Sequence, residues 1–101
     1  MLREVIIMKS MNHENIIQLQ DVVYVPRKGK IIGDIYIVTD LMETDLSRVI
    51  RSNQALTIEH KQFFLWQILK GLQYQHAANI IHRDVKPSNA LLNEDCLLKI
   101  W

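Results

Sequence analysis

The spacing of hydrophobic and polar residues in the first forty positions predicts one helix followed by two strands. Apolar residues over positions 2–10 form an approximate helical stripe between charged residues. Positions 16–25 are rich in β-branched residues but contain three polar ones, which predicts a strand bent near its middle. A turn at 26–30 and alternation over 35–39 then predict a second strand that returns antiparallel to the first.

The next forty positions predict two helices. Asp45 is placed to cap a short helix that is interrupted at positions 52–53, and Thr57 is placed to cap a longer one. The longer helix has apolar residues on one face, and further apolar residues surround much of it, so we expect it to need cover on more than one side. The residues of the first face are Phe64, Ile68 and Leu72, and the additional ones are Phe63, Leu65, Trp66 and Leu69.

A polar octapeptide, HRDVKPSN at positions 82–89, follows the long helix and is flanked by apolar residues. Ile80 and Ile81 precede it and positions 90–92 follow it, which predicts a turn held between two short buried strands. A hairpin is predicted next, in which 90–92 pairs with 96–100 around a turn at 93–95.

Composition and charge restrict the class of protein. The 101 residues suffice for one small domain, and 49% hydrophobic with 23% charged residues is typical of a folded chain. The net charge of +1 gives no reason to expect a nucleic-acid or membrane partner, and no apolar run approaches the length of a membrane span. One cysteine, Cys96, excludes an intrachain disulfide and suits a reducing compartment, so we expect an intracellular protein. The basic cluster at 27–30 is read either as a solvated loop tip or as a docking or phosphate-binding site.

The octapeptide carries residue types that phosphoryl transfer to a hydroxyl requires. Asp84 is a carboxylate that can orient the attacking oxygen and accept its proton. Asn89 offers an amide oxygen to Mg²⁺, and Lys86 is a cation able to neutralise charge on the transferred group. The alternative is a surface turn in which Asp84 and Pro87 are ordinary turn formers.

Three segments together carry a family resemblance that extends over essentially the whole chain. They are NHENII at 12–17, YIVTDLMETDL at 36–46 and the octapeptide at 82–89. These segments resemble the mitogen-activated protein kinases, and Lys86 resembles the serine/threonine pattern rather than that of small-molecule phosphotransferases. The resemblance implies an α+β fragment of the bilobal kinase fold, a partial kinase domain over 1–101. Its N-lobe part, 1–39, would hold a Glu-bearing helix and two antiparallel strands. A hinge at 40–45 would lead to the C-lobe part, 46–101, with two helices, the catalytic loop and a hairpin.

The resemblance also implies ATP and Mg²⁺ as cofactors and assigns residues to them. Thr39 matches the gatekeeper, the backbone of Asp40 and Met42 would face adenine, Asp45 would meet the ribose, and Leu91 would lie beneath the base. The catalytic residues would be Asp84, Lys86 and Asn89, with Asn89 as the metal ligand. The full set of expected nucleotide contacts is Thr39, Asp40, Met42, Asp45, Lys86, Ser88, Asn89 and Leu91.

Five further residues receive structural or regulatory roles from the resemblance. Glu4 stands where the helix glutamate pairs with the ATP-contacting lysine, although a solvated helix glutamate remains the alternative. Met8, Leu19 and His82 match the apolar spine between the lobes, so His82 is expected to be a buried structural histidine rather than a base. Arg83 is expected to hold a phosphorylated activation loop, with a local ion pair as the alternative.

The implied function is ATP-dependent phosphorylation of protein Ser/Thr in a MAP kinase cascade, in the cytoplasm and nucleus. Expected partners are protein substrates and an upstream kinase that bind through docking motifs. The surface around Val49, His60, Phe63 and Cys96 resembles the docking groove of these kinases, with ordinary packing as an equal alternative.

The sequence contains no G-x-G-x-x-G loop, no strand lysine to pair with Glu4 and no Asp-Phe-Gly. We therefore expect no useful kinase activity from this chain alone, and marginal stability or association. The alternatives are a non-catalytic kinase-like module that competes for docking partners, and a fragment with no stable role.

Overall fold

The computed structural model describes residues 2–53 and 55–101, which contain helices and antiparallel strands in nearly the predicted order. The α-helices are α1 (Leu2–Ser10), α2 (Leu46–Arg51) and α3 (Ile58–Ala77). The strands are β1 (Leu19–Val25), β2 (Asp34–Thr39), β3 (Thr44–Asp45), β4 (Ala90–Leu92) and β5 (Leu98–Ile100), with a 3-10 turn at Pro87–Asn89. Within these residues no helix is both long and apolar enough to cross a membrane.

The first sheet is the predicted antiparallel pair of β1 and β2. Its register shifts between Leu19 and Asp21, which is the bend that the polar residues predicted. The turn closes through a hydrogen bond from the Lys30 amide to the Arg27 carbonyl at 3.2 Å. Gly33 leaves this turn so close to β1 that a Cβ atom there would lie 2.2 Å from the Val25 carbonyl oxygen.

The prediction that the first strand starts at position 16 is wrong. Ile16 forms a parallel bridge to Ile100, the Ile17 amide donates to the Ile100 carbonyl at 3.0 Å, and the Ile100 amide donates to the Asn15 carbonyl at 2.8 Å. The backbone of this segment therefore pairs with β5, so the ladder to β2 begins only at Leu19.

The second sheet has the order β3-β4-β5 and contains the predicted hairpin. Its second strand starts at Leu98 and not at Cys96, because Cys96 has a φ of 61° and completes the turn. The Asn93 side-chain oxygen accepts hydrogen bonds from the amides of Asp95 and Leu97 at 2.9 and 3.0 Å, which fixes that turn. Ile80 and Ile81, predicted as a buried strand, lie outside any strand, and Ile81 is 75% exposed.

Local side-chain hydrogen bonds begin both predicted C-terminal helices. The Asp45 carboxylate accepts from the Arg48 amide at 3.0 Å, and the Thr57 hydroxyl accepts from the His60 amide at 3.2 Å. The His60 ring in turn accepts from the Thr57 amide, which completes a capping box.

The core lies between α3 and the second sheet. Phe64 packs there with the inner residues of β4 and β5, and the predicted face residues Ile68 and Leu72 pack against the same cluster. Leu65, Trp66 and Leu69 remain more than half exposed, so the described residues leave that side of α3 uncovered. Gly71 allows a close approach, since a Cβ atom there would lie 2.9 Å from the Ile100 Cδ1 atom.

Two buried polar side chains tie the segment after α1 to this core. Gln67 is 2% exposed, and its Oε1 atom accepts from the Leu98 amide at 2.7 Å. Its Nε2 atom donates to the Cys96 carbonyl at 3.0 Å. Asn15 donates to the Leu98 carbonyl at 3.0 Å and to Gln67 at 3.3 Å. The NHENII segment is therefore held against α3 and β5 by hydrogen bonds as well as by Ile16.

Candidate active site

The octapeptide loop starts where α3 ends in a Schellman motif. The Ile80 amide donates to the Gln75 carbonyl at 2.8 Å and the Asn79 amide to the His76 carbonyl at 3.0 Å, with Asn79 at a φ of 61°. Arg83 also has a positive φ, 75°, which for a side-chain-bearing residue costs about 1–3 kcal/mol. Such strain persists only where surrounding contacts enforce it, and here those contacts come from the loop's own side chains.

Asp84, Lys86 and Asn89 come together at the surface of this loop. The Asn89 Nδ2 atom donates to the Asp84 carbonyl at 3.0 Å and to the Asp84 Oδ2 atom at 3.1 Å. The Lys86 Nζ atom lies 3.5 Å from the same carboxylate oxygen, and both charged side chains are more than half exposed. The 3-10 turn sets this spacing, because the Asn89 amide donates to the Lys86 carbonyl at 3.0 Å. A carboxylate, a cation and an amide are thus oriented toward solvent within one turn.

His82 braces the loop with both ring nitrogens. Its Nδ1 atom accepts from the Asp84 amide at 3.0 Å, and its Nε2 atom lies 2.6 Å from the Trp101 carbonyl oxygen. A carbonyl can only accept, so these partners assign a neutral ring with the proton on Nε2. The histidine is half-buried rather than fully buried as predicted.

The predicted hinge joins the two sheets through residues 40–43, which have no regular structure. The Thr39 hydroxyl donates to the Asp40 carbonyl at 3.2 Å, and Met42 is half-buried. Asp45 pairs with Leu91 across the antiparallel ladder of β3 and β4, so the residues expected beneath the base and at the ribose are direct neighbours. Both oxygens of the Asp45 carboxylate already have partners, the Arg48 amide and the Arg48 Nε atom at 3.6 Å.

A model of the protein kinase domain matches residues 1–101 of the sequence. The chain belongs to the protein kinase family. It is 57% identical over 99 residues to mitogen-activated protein kinase 3 of Arabidopsis thaliana and 54% identical over 99 residues to mitogen-activated protein kinase 6 of Oryza sativa subsp. japonica. Both alignments cover 98% of this chain and 26% of the relative, so the chain spans about a quarter of these curated relatives. The resemblance to MAP kinases and the α+β kinase fold are confirmed.

A cavity of about 660 Å³ separates α1 of this kinase chain from the catalytic-loop candidate. Six of the predicted residues line it: Glu4, Met8, His82, Arg83, Asp84 and Asn89. Lys86 and Asn89 also line a smaller cavity of about 180 Å³ beside Leu46 and Val85. Within the described part of the chain, neither cavity is lined by the residues expected to contact adenine and ribose, which are Thr39, Asp40, Met42, Asp45 and Leu91. Exposed Ser88 and buried Leu19 also lie apart from both cavities. The larger cavity thus brings Asp84 and Asn89 together with the α1 residues Glu4 and Met8, whereas Lys86 lines the smaller cavity.

Most residues of the predicted docking surface already contact other residues of the chain. Val49 and Cys96 pack against the core, and His60 belongs to the capping box of α3. Phe63 is half-buried and stacks on Trp66 with ring centroids 6.1 Å apart.

Sequence reasoning missed two polar residues that contact the hinge of this kinase chain. The Gln20 amide donates to the Asp40 carboxylate, and the Lys99 Nζ atom lies 3.7 Å from it. The available signal was the position of Lys99, a single charge within the apolar run LLKI. A charged side chain among apolar residues needs a partner, but the neighbouring residues do not indicate which residue that partner is.

Proposed function

We propose that this chain is part of a serine/threonine protein kinase of the mitogen-activated type, which transfers the terminal phosphoryl group of ATP to protein hydroxyls. The observation that carries the proposal is the arrangement of Asp84, Lys86 and Asn89 on one turn. The 1–39, 40–45 and 46–101 division into N-lobe part, hinge and C-lobe part belongs to the same proposal.

Asp84 orients the substrate hydroxyl and accepts its proton. Its carboxylate has a fixed direction because Asn89 holds one oxygen at 3.1 Å and the Asp84 amide is anchored to His82. Lys86, 3.5 Å away, neutralises charge on the transferred phosphoryl group.

The side-chain oxygen of Asn89 fits one magnesium ligand. Its Nδ2 atom makes both described hydrogen bonds of the side chain, which leaves Oδ1 directed away from Asp84 as a hard oxygen donor. Mg²⁺, held there by Asn89, would supply positive charge that offsets the charge of the phosphates. Thr39, Asp40, Met42, Asp45, Ser88 and Leu91 complete the nucleotide site in this proposal.

Glu4 and Arg83 have regulatory roles in the proposed enzyme. Both line the cavity between α1 and the loop. There the Glu4 carboxylate can fix the position of α1 by pairing with a cation, and the exposed Arg83 guanidinium can bind a phosphorylated segment. Met8, Leu19 and His82 act as packing residues between the lobes. Protein substrates and an upstream kinase are the proposed partners, in the cytoplasm and nucleus.

A chimera tests this function directly. We would replace the matching segment of the Arabidopsis thaliana relative with this chain and measure phosphorylation of a basic protein substrate with Mg-ATP. The chimera should be active, and Asp84→Asn should lower kcat by about 10²–10⁴-fold because the base is removed. Asp95→Asn, in the exposed hairpin turn, is the matched control and should leave the rate unchanged. A folded but inactive chimera, or an unaffected Asp84→Asn variant, would refute the proposal.

The isolated chain should show no useful turnover in the same assay. Its residues supply the base, the cation and one metal ligand, whereas catalysis of this kind also depends on a phosphate-covering loop and a metal-binding aspartate. Robust turnover that Asp84→Asn abolishes would contradict this expectation.

A non-catalytic binding module is the second candidate, favoured by the uncovered side of α3 at Leu65, Trp66 and Leu69. In that case the chain should bind the docking peptide of an upstream kinase saturably. Asp84→Asn should leave the affinity unchanged, since the peptide would not touch the loop.

A further inference from the structure

We propose that Lys99, together with Gln20, is a positioning residue that fixes the hinge over the adenine site through the carboxylate of Asp40. The inference rests on the proposed function, because that function places adenine against the backbone of residues 40–42. Neither Lys99 nor Gln20 belongs to the nucleotide site proposed above.

The Asp40 carboxylate connects the two sheets. One oxygen accepts a hydrogen bond from the Gln20 Nε2 atom on β1, and the other lies 3.7 Å from the Lys99 Nζ atom on β5. The only covalent link between β2 and β3 is the irregular segment 40–43. Because the Asp40 side chain is bonded to both sheets, it restrains segment 40–43, which has no regular backbone hydrogen bonds.

The strand register shows why Lys99 reaches the hinge. Lys99 pairs with Leu91, and Leu91 pairs with Asp45, so these three side chains leave the sheet on the same face. The opposite face is the buried one, formed by Ala90, Leu92, Leu98 and Ile100. Lys99 therefore lies on the face opposite the core, beside the residues expected beneath the base and at the ribose.

This ion pair is more shielded from solvent than the other ion pairs of the described residues. The Lys99 side chain is only 20% exposed and that of Asp40 34%, so water screens both charges less than at an open surface. Within the described residues, Asp40 is the acid that pairs with Lys99. Among the described residues, loss of the lysine charge would leave the Asp40 carboxylate held only by Gln20, and the hinge would sample more conformations.

Hydrogen exchange of the full chain without nucleotide tests the proposal. Lys99→Met should speed exchange in a peptide covering 38–45, which includes the paired strand ends on both sides of the hinge, by about threefold or more, and leave a peptide within α3 unchanged. Lys99→Arg should restore the slow exchange, because it keeps the charge. Arg27→Met is the matched control: it removes the 2.6 Å pair between Arg27 and Asp34, which lies entirely within the β1–β2 hairpin.

A second variant covers the case in which Lys99→Met does not fold. Asp40→Asn leaves β5 intact and removes the same charge pair, so it should give the same local increase in exchange. The proposal is overturned if neither variant changes exchange in the 38–45 peptide, or if the increase extends equally into α3, which would indicate global unfolding.

Nucleotide binding separates this inference from the proposed function. A fluorescent ADP analogue should bind the Lys99→Met variant about threefold more weakly than the wild-type chain, with Arg27→Met unaffected. A wild-type chain that does not bind the analogue would count against the adenine site itself. The exchange comparison would still decide whether Lys99 holds the hinge.

Discussion

Replacement of Gln67 by methionine should remove much of the stability of this chain. Met has a similar volume, so the substitution leaves no large cavity, but it removes an acceptor and a donor from a site that is 2% exposed. The Leu98 amide, on a residue with 0% exposure, loses its partner at 2.7 Å, and the Cys96 carbonyl loses its donor at 3.0 Å. Asn15 keeps its hydrogen bond to the Leu98 carbonyl.

The expected loss in the free energy of unfolding is about 2–4 kcal/mol. A buried polar group left without a partner costs about 1–3 kcal/mol; the Leu98 amide lies near the upper end, and the half-buried Cys96 carbonyl near the lower. Small domains have total stabilities of about 5–15 kcal/mol, so the variant should lose a large fraction.

Urea denaturation followed by circular dichroism and by tryptophan fluorescence measures this difference. Gln73→Met, on an exposed position of the same helix, is the matched control and should change stability by less than about 0.5 kcal/mol. In native-state hydrogen exchange, the Leu98 amide should exchange about 30- to 700-fold faster in the Gln67 variant, since about 1.4 kcal/mol is tenfold. Equal stability of the two variants would refute the argument that this buried network holds α3 to β5.

Three further substitutions test local features. Asn79→Gly should raise the free energy of unfolding by up to about 1 kcal/mol in a thermal melt, because glycine adopts the positive φ of the Schellman motif without strain; a loss of stability would contradict that motif. Asp45→Ala should cost about 1 kcal/mol, since the Arg48 amide loses its cap, and an unchanged urea midpoint would show that the cap is not needed. Gly33→Ala should speed hydrogen exchange throughout β1 and β2, because the new methyl group would lie 2.2 Å from the Val25 carbonyl oxygen; unchanged protection would show that the turn can relax at little cost.

The elements that are stabilised by contacts between residues close in sequence were predictable from the sequence. Asp45 and Thr57 cap α2 and α3 through hydrogen bonds to amides three positions on, so the information lies within one helical turn. The octapeptide likewise forms its own turn, and the contacts among Asp84, Lys86 and Asn89 span only a few positions.

Contacts between distant segments were not predictable in this way. Ile16 belongs to a β-branched run that fits a strand, but pairing with Ile100 removes it from that strand. Asn15 and Gln67, 52 positions apart, are polar residues that composition alone would place at the surface. Their burial depends on partners that only the packed fold supplies.

The sequence by itself therefore determined the helices, the hairpins and the chemistry carried on the loop at 82–89, because each arises from interactions across a few residues. Only the tertiary structure decided that the NHENII segment pairs with β5, that His82 contacts Trp101, and that Lys99 contacts Asp40 in the predicted hinge. The physical reason is that a buried backbone or charged group must find a partner, whereas the choice of partner depends on which distant segments the packing brings together.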